Sequence, residues 1–226
     1  MTPIRVLIVD DHALIREGLR AVLAVHPDIT VVGVASTAES AVEMALLHVP
    51  RVVLMDFRLA GRTGAEAAAE IRDALPATAV VFLSADESDD TLAAAVKAGA
   101  AGYLAKTSDI DEVASAIRRA AAGEMLIPAR VLARLLATET SRTRGALADA
   151  TYGNSLTGRE REILQLTAEG VDNFGISQRL FIELTTVRWH VRNVLEKLHV
   201  HSKLEAVARA AEHGLIHRPL TPSPHP

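Results

Sequence analysis

Three aspartates, a serine and a lysine occupy positions from which they could act together on a phosphoryl group. Asp10 and Asp11 follow the first apolar segment of the chain, Asp56 ends the third, and Ser84 and Lys106 follow the fourth and fifth. Carboxylates on separate loops suit Mg²⁺, a hard cation that prefers oxygen ligands. Beside such a cation, Asp56 has the chemistry of a nucleophile that forms an acyl phosphate. Ser84 and Lys106 are suited to hold phosphoryl oxygens, one by a hydrogen bond and the other as a point charge.

A second candidate site lies on a long helix predicted over Leu184–Leu198. At about 100° per residue, one face of this helix is apolar and carries Val187, Val191, Val194 and Leu198. The opposite side carries the polar and aromatic residues Thr185, Arg188, Trp189 and Arg192. Burying Trp189 would expose the valines, so the periodicity places this side chain in solvent. Arginines and an exposed aromatic ring on one helix face favour insertion into the major groove of DNA.

Five strands alternating with five helices must position the first site. Continuous apolar segments, typical of strands buried on both faces, lie at Ile4–Val9, Thr30–Val34, Arg51–Met55, Ala79–Leu83 and Gly102–Leu104. Helical patterns lie between and after them, at Ala13–Val25, Thr37–His48, Gly64–Leu75, Asp89–Ala98 and Asp109–Ala122. Ser36 and Glu39 fit a capping box at the second helix, and Gly99 ends the fourth. The alternation predicts a parallel, doubly wound sheet with chemistry beyond the carboxyl ends of its strands.

The C-terminal part is predicted to be all α-helical. Thr157 and Glu160 fit a capping box that begins a helix, with Gly170 as its stop. A short helix at Phe174–Leu180, the long helix and a last helix near Lys203–His213 follow. Residues 125–155 are predicted to contain a short helix at Pro128–Thr138 and a flexible linker, and residues 218–226 a disordered tail.

The composition favours a soluble protein with two globular domains. Of the 226 residues, 49% are hydrophobic and 23% are charged, which is enough for two cores. The absence of cysteine excludes disulfides and thiolate metal sites. Neither a signal peptide nor an apolar segment of membrane-spanning length is visible, so we expect a cytoplasmic protein with no membrane partner. The net charge of −4 comes from the part before Thr151, so any basic surface for nucleic acid must be local.

Residues 1–124 resemble the receiver domain of response regulators, which has a flavodoxin-like α/β fold with a five-stranded parallel sheet. The resemblance rests on Val9-Asp10-Asp11-His12, Leu54-Met55-Asp56 with Gly61 and Gly64, Leu83-Ser84-Ala85, and Gly102-Tyr103-Leu104-Ala105-Lys106. It implies that Asp56 is the phosphoacceptor and that the Mg²⁺ site is formed by Asp11, Asp56 and the backbone carbonyl of Arg58 as ligands, with Asp10 assisting through water. It also implies phosphoryl binding by Ser84 and Lys106, with Ser84 and Tyr103 as a switch pair. Ala60 stands where the family usually has proline, which predicts a looser loop.

Residues 156–217 resemble the LuxR-type helix-turn-helix domain of the NarL/FixJ family. The resemblance rests on the segments Leu156–Glu162, Thr186-Val187-Arg188 with His190, Lys197–Val200, and Gly214-Leu215-Ile216. It implies DNA contacts from Thr185, Arg188, Trp189, Arg192 and Lys197, and a dimer surface on the last helix. Three departures predict weakened DNA affinity, or affinity that depends on dimerisation. Phe174 replaces a usual cation, Gly175 lies inside a short helix, and Glu183 replaces a serine that caps the helix and contacts phosphate.

The expected protein is a two-component response regulator of the NarL/FixJ family. A sensor histidine kinase phosphorylates Asp56, which controls homodimerisation and binding to promoter DNA. One alternative is a phosphorylation-independent DNA-binding regulator whose receiver is a constitutive dimerisation module. Another is an aspartyl-phosphate phosphatase, which would need an acid/base aspartate where this chain has Arg58. We therefore expect no enzyme activity beyond Mg²⁺-dependent self-phosphorylation and slow autodephosphorylation.

Two charged residues close to the phosphoacceptor suggest a further hypothesis. Arg58 and Asp86 each lie two residues beyond a site residue, at Asp56 and Ser84. We predict that their side chains pair over the pocket and hinder the hydrolytic water. The alternative is two separate exposed charges in solvent, which contribute little.

Overall fold

The computed structural model describes residues 2–86, 88–124, 126, 155–200 and 202–216. The chain divides into two compact units, Met1–Leu126 and Ile127–Pro226. The predicted helix at Pro128–Thr138, the linker up to Asn154 and the predicted tail at residues 218–226 lie outside the described residues.

The N-terminal unit is built on a five-stranded parallel sheet, as predicted. Its strands are β1 (Ile4–Val9), β2 (Ile29–Ala35), β3 (Val52–Asp56), β4 (Ala79–Ser84) and β5 (Gly102–Ala105). They are ordered β2-β1-β3-β4-β5, and every neighbouring pair is parallel. The carboxyl ends of all five strands therefore meet at one edge of the sheet.

Five helices cover the two faces of this sheet. They are α1 (Ala13–Leu23), α2 (Ala38–His48), α3 (Gly64–Ala74), α4 (Asp89–Lys97) and α5 (Ile110–Ala121). Leu7, Val53 and Phe82 pack on one face with side chains of α2, α3 and α4. Val6, Leu54 and Val81 pack on the other with side chains of α1 and α5. Successive strand residues thus point to opposite apolar layers, which explains why the strands have uninterrupted apolar sequences.

Helix ends follow the predicted signals with one correction. Gly99 has a φ of 76° directly after α4, as its predicted role as a stop requires. The predicted capping box of Ser36 and Glu39 is wrong by one residue. Thr37 is the N-cap of α2, and its hydroxyl accepts from the backbone N–H of Ser40, whose side chain returns the bond. Serine can close a capping box as glutamate does, because its hydroxyl also accepts a backbone hydrogen bond.

The described part of the C-terminal unit consists of four helices. They are α6 (Gly158–Ala168), α7 (Asn173–Leu180), α8 (Leu184–Lys197) and α9 (Lys203–Glu212). The capping box of Thr157 and Glu160 is confirmed, and Gly170 has the left-handed φ of 79° that its predicted role requires. On α8, Val187 and Val194 are buried and Val191 is partly buried, so the predicted apolar face is confirmed.

Gly64 determines how closely α3 approaches the end of β3. A Cβ atom at this position would lie 2.1 Å from the carbonyl oxygen of Asp56 and 3.1 Å from Cγ of Met55. The backbone N–H of Gly64 donates to the carbonyl of Phe57 at 3.0 Å. Only glycine leaves room for this approach, so the loop that follows Asp56 depends on it.

We predict that Gly64→Ala lowers the free energy of unfolding of the receiver unit by about 1–3 kcal/mol, because the backbone must move apart. Gly18→Ala is the matched control, since it lies within α1 and its Cβ would meet nothing within 4 Å. This control should stabilise by up to about 1 kcal/mol. Urea unfolding followed by circular dichroism would measure both changes. Equal stability of the two variants would contradict the packing argument.

Candidate functional site

The carboxyl edge of the sheet brings together three of the predicted site residues. Asp10 follows β1, Asp56 ends β3, and both are buried. Lys106 follows β5, and its backbone N–H donates to the carbonyl of Ser84 at 2.9 Å. Its Nζ lies 2.7 Å from Oδ2 of Asp56 and 2.7 Å from Oδ2 of Asp10. One ammonium group therefore bridges two carboxylates from neighbouring strands.

An acidic cluster forms around this bridge. Asp10, Asp11, Asp56 and His12 each offer one ligand atom, and these four atoms lie within 4.8 Å of one another. Three carboxylates and an imidazole at such distances could hold a divalent cation, and the carboxylate oxygens suit Mg²⁺. The three aspartates were predicted and are brought together.

His12 is a member of the cluster that the sequence did not single out for a role. Its Nδ1 lies 2.6 Å from Oδ1 of Asp11 and 3.2 Å from Oδ1 of Asp10. Its backbone N–H donates to the same oxygen of Asp10 at 2.8 Å. The sequence feature that could have identified it is its position directly after the aspartate pair and before α1, which keeps its side chain close to the end of β1.

Burial and the lysine act in opposite directions on Asp56. Burial raises its pKa above the ordinary value of 3.8, while the hydrogen bonds from Lys106 and from the Arg58 backbone N–H oppose that shift. For Lys106, burial disfavours the charged form, but hydrogen bonds with Asp10 and Asp56 outweigh burial and raise its pKa. Lys106 therefore remains a cation beside these two carboxylates, and it can attract a further negatively charged group.

Ser84 and Tyr103 meet at the backbone of Asp86. The Ser84 hydroxyl donates to the carbonyl of Asp86 at 3.1 Å and accepts from the N–H of Asp86 at 3.0 Å. The Tyr103 hydroxyl donates to the same carbonyl. Both members of the predicted switch pair are therefore bonded to one peptide segment after β4, a link that spacing in the sequence could not show.

Arg58 and Asp86 form the predicted ion pair. Nη2 of Arg58 lies 2.6 Å from Oδ2 of Asp86, and the arginine side chain is 75% exposed. The carboxylate also accepts from the backbone N–H of Ser88 and from the Thr91 hydroxyl. The bonds from Ser88, followed by those from Thr91 and the charge of Arg58, lower the pKa of Asp86. The pairing is confirmed, whereas its effect on hydrolysis stays a prediction.

The exposed face of α8 carries four of the five residues predicted to contact DNA. Thr185, Arg188, Trp189 and Arg192 are all exposed. Trp189 is 59% exposed, although it is a large apolar side chain, and its ring contacts His190 edge-to-face at 4.8 Å. An exposed tryptophan on a helix whose other face is buried indicates a surface that binds another molecule.

The fifth residue predicted to contact DNA, Lys197, is paired with a buried carboxylate of another helix. Its Nζ donates to both carboxylate oxygens of Glu160, at 2.9 and 2.8 Å. Glu160 is buried and also accepts from the backbone N–H of Thr157 at 2.7 Å. Lys197 therefore ties the end of α8 to the start of α6, and its charge is compensated inside the domain. This pairing could not be predicted from the sequence, because 37 residues separate the partners.

Three residues around α7 depart from the usual family sequence, and each has its own structural consequence. A Cβ at Gly175 would lie 2.7 Å from Cγ1 of Val171, so glycine permits a close approach of the chain before α7. Phe174 is 63% exposed. Glu183 is the N-cap of α8, but its side chain makes no capping hydrogen bond. The helix therefore lacks the side-chain acceptor that serine would supply there.

Comparisons with known proteins agree with both halves of this description. A family model for the response regulator receiver domain matches residues 6–118, and one for bacterial regulatory proteins of the luxR family matches residues 154–210. The chain is 40% identical over 213 residues to the transcriptional regulatory protein LiaR of Bacillus subtilis, covering 94% of this chain and 99% of the relative. The chain belongs to the NarL/FixJ family of response regulators.

Two further relatives of this response regulator extend the comparison. It is 35% identical over 204 residues to the nitrate/nitrite response regulator protein NarL of Escherichia coli, covering 90% of this chain and 93% of the relative. The solved signal receiver domain of the putative response regulator NarL from Mycobacterium tuberculosis has a TM-score of 0.53 at 35% identity. That match covers 55% of this chain and 100% of the solved chain.

Membership of the family establishes the general function. The protein is a DNA-binding response regulator of a two-component system that regulates transcription. The family consists of transcriptional regulators and not of classical enzymes, and its receiver domains generally bind Mg²⁺ at an acidic pocket. Among the helices in the described ranges, none has the length and apolar character needed to cross a membrane.

We predict that Glu160→Gln destabilises the C-terminal unit of this response regulator by about 1–2 kcal/mol at pH 7. Glutamine keeps an acceptor for the Thr157 N–H but loses the charge that faces Lys197. Burial opposes the charged form of Glu160, but the Lys197 and Thr157 hydrogen bonds prevail and lower its pKa from 4.5. The stabilisation is therefore present above pH 4.5 and is lost as the pH falls through the lowered pKa.

The difference between wild type and Glu160→Gln should accordingly shrink below pH 4.5. Urea unfolding followed by Trp189 fluorescence would measure it, because the only tryptophan lies in this unit. Glu162→Gln is the control, since Glu162 pairs with Arg159 on the exposed side of α6. A difference that is constant from pH 7 to pH 4 would show that the charge of Glu160 contributes nothing.

Proposed function

We propose that Asp56 accepts a phosphoryl group from a sensor histidine kinase or a small phosphodonor, and that this reaction controls DNA binding by the C-terminal unit. The observation that carries the proposal is the position of Lys106. Its ammonium group lies 2.7 Å from the Asp56 carboxylate, inside a cluster of three aspartates at the edge where the strands end.

The chemistry follows from the contacts of Asp56. A carboxylate oxygen attacks the phosphorus of the donor, and a new O–P bond forms while the bond from phosphorus to the donor breaks. The leaving group is the kinase imidazole or, with acetyl phosphate, acetate. Lys106 and the Ser84 hydroxyl then hold the phosphoryl oxygens. The backbone N–H of Arg58, 3.2 Å from Oδ1 of Asp56, orients the carboxylate.

The acidic cluster fits a magnesium ion. Asp10, Asp11 and Asp56 present carboxylate oxygens within 4.8 Å of one another, and such oxygens are the ligands that this cation prefers. The backbone carbonyl of Arg58 is proposed as a further ligand. When bound, Mg²⁺ would offset the repulsion among the carboxylates and the charge of the incoming phosphoryl group.

Hydrogen bonds from Ser84 and Tyr103 to the same backbone carbonyl could transmit phosphorylation of Asp56 to the segment after β4. The Ser84 hydroxyl bonds the backbone of Asp86, which also accepts from Tyr103. A phosphoryl group on Asp56 draws the Ser84 hydroxyl away, and the segment at Asp86 and the Tyr103 ring lose a shared partner. This is a local charge event that biases a two-state element.

The exposed face of α8 is the proposed DNA-reading surface. Arg188 and Arg192 supply donors for guanine edges or phosphates, Trp189 supplies apolar contact, and Thr185 can bond to either. Active homodimers bind two half-sites of promoter DNA, with α9 as the proposed dimer surface. Two recognition helices in one complex raise the affinity beyond that of one helix alone.

The first test is intact-mass spectrometry after incubation with acetyl phosphate and Mg²⁺. Wild type should gain about 80 Da, the mass of one phosphoryl group, whereas Asp56→Ala should gain nothing because the nucleophile is missing. Asp11→Ala is expected to reduce the yield because the cation loses a ligand. A mass gain in Asp56→Ala would show that another residue accepts the phosphoryl group. No gain in wild type with either this donor or a candidate kinase would favour regulation that does not depend on phosphorylation.

We predict that the ion pair between Arg58 and Asp86 lengthens the lifetime of the acyl phosphate. If this exposed pair must open before water enters, hydrolysis should be about two- to fivefold slower than without the pair. Arg58→Ala should therefore shorten the half-life by that factor, as measured by loss of the added mass over time. Arg62→Ala is the matched control, because it removes another arginine of the same loop, one that pairs with Glu70 of α3 instead of with Asp86. An unchanged half-life in Arg58→Ala would remove the idea.

A further inference from the structure

One acidic side chain shares the exposed face of α8 with the residues proposed to contact DNA. Glu196 lies one turn after Arg192, and Nε of the arginine is 3.2 Å from Oε1 of the glutamate. The two side chains are 79% and 64% exposed. At about 100° per residue, Glu196 lies about 20° from Thr185 around the helix axis, near the middle of the exposed face.

Helix stability does not account for this pair. An exposed ion pair four residues apart contributes little, and the order with the acid toward the C-terminus is the less favourable one. The carboxylate also lies in the last turn, where the helix dipole disfavours a negative charge. DNA phosphates would repel it as well. Two electrostatic effects therefore oppose Glu196 and its ion pair adds little stability, which leaves the orientation of Arg192 as the contribution that favours it.

We propose that Glu196 is a specificity-determining residue that holds Arg192 in position to read a guanine. The carboxylate contacts Nε, so the two terminal nitrogens of the guanidinium remain available. These are the donors that bind O6 and N7 of guanine in the major groove. The inference rests on the proposed use of this face to bind DNA.

The negative charge adds discrimination in a second way. Away from a guanine, Arg192 gains affinity mainly from phosphates, and that gain does not depend on sequence. Glu196 reduces this non-specific affinity, because its negative charge compensates that of Arg192 and is itself repelled by the DNA phosphates. Glu196 should thus lower non-specific affinity while it preserves the base contact.

Arg188 provides an internal comparison on the same helix. It is exposed, and among the described residues no carboxylate lies within ion-pair distance of it. Its contribution to binding should therefore contain a larger non-specific part than that of Arg192. Arg188→Ala should weaken binding to all sequences, whereas Arg192→Ala should change the preferred sequence.

The test uses the full chain, phosphorylated with acetyl phosphate, and a library of randomised DNA duplexes from which bound sequences are read. Dissociation constants are then measured for the selected duplex and for a duplex of alternating dA and dT. We expect Glu196→Ala to lose preference for guanine at the positions that Arg192→Ala affects. Discrimination between the two duplexes should fall on the order of tenfold.

Glu196→Gln separates the contact from the charge. Glutamine keeps an oxygen that can accept from Nε, so guanine preference should be retained in part, while affinity for the alternating duplex should rise. Glu162→Gln is the control, because it removes an exposed glutamate that pairs with an arginine on α6. Its preferences should match those of wild type. Trp189 fluorescence and circular dichroism would verify that each variant is folded.

Two results would overturn the proposal, and they differ. If Arg192→Ala changes the preferred sequence and both Glu196 variants leave it and the discrimination unchanged, Glu196 does not position the arginine. If wild type itself selects no sequence from the library, the proposed DNA-reading face fails, and the role of Glu196 fails with it.

Discussion

The receiver unit depends on one ammonium group that two buried carboxylates share. Asp10 and Asp56 stand at the carboxyl ends of neighbouring strands, where bulk water is largely excluded. Two ionised carboxylates in such a place repel each other and are poorly solvated. Lys106 compensates both, with its Nζ 2.7 Å from each. It reaches them from beyond β5 only because the parallel order of the strands brings all their ends to one edge. The strand order therefore sets the distances on which the proposed chemistry relies.

That dependence explains why so much of the site could be predicted from the sequence. A strand buried on both faces must be apolar along its length, so the first polar residue after it marks the edge of the sheet. Asp10, Asp56 and Lys106 stand out for this reason, and parallel topology requires that they meet. The apolar face of α8 could be predicted in the same way, because its 3.6-residue period conflicts with a buried Trp189.

Three features of the structure could not be predicted from the periodicity of the sequence. Lys197 lies at the end of a helix with basic residues, and only the fold shows that its charge is compensated by Glu160 from a different helix. The cap of α2 was misplaced because serine and threonine at adjacent positions offer equivalent acceptors, and the backbone conformation decides between them. Gly175 looked like a helix-weakening residue, yet the close contact with Val171 requires it. The first case is a tertiary contact, whereas the other two are decided by the backbone geometry of the chain just before a helix.

The same chemical pair, a carboxylate with a cation, recurs at three depths in this protein and has a different physical consequence at each. In the bridge at Lys106 the charges are buried, so removing one partner would leave the others poorly solvated, and the arrangement is fixed. Between Glu160 and Lys197, one partner is buried and the other is 33% exposed, which suits a structural tie between helices. The Arg58 and Arg192 pairs have exposed guanidinium groups, so solvent screening makes them weak and easily exchanged. Weak pairing is an advantage there, because a side chain that must release its partner when phosphate, water or DNA arrives cannot be held by a strong one.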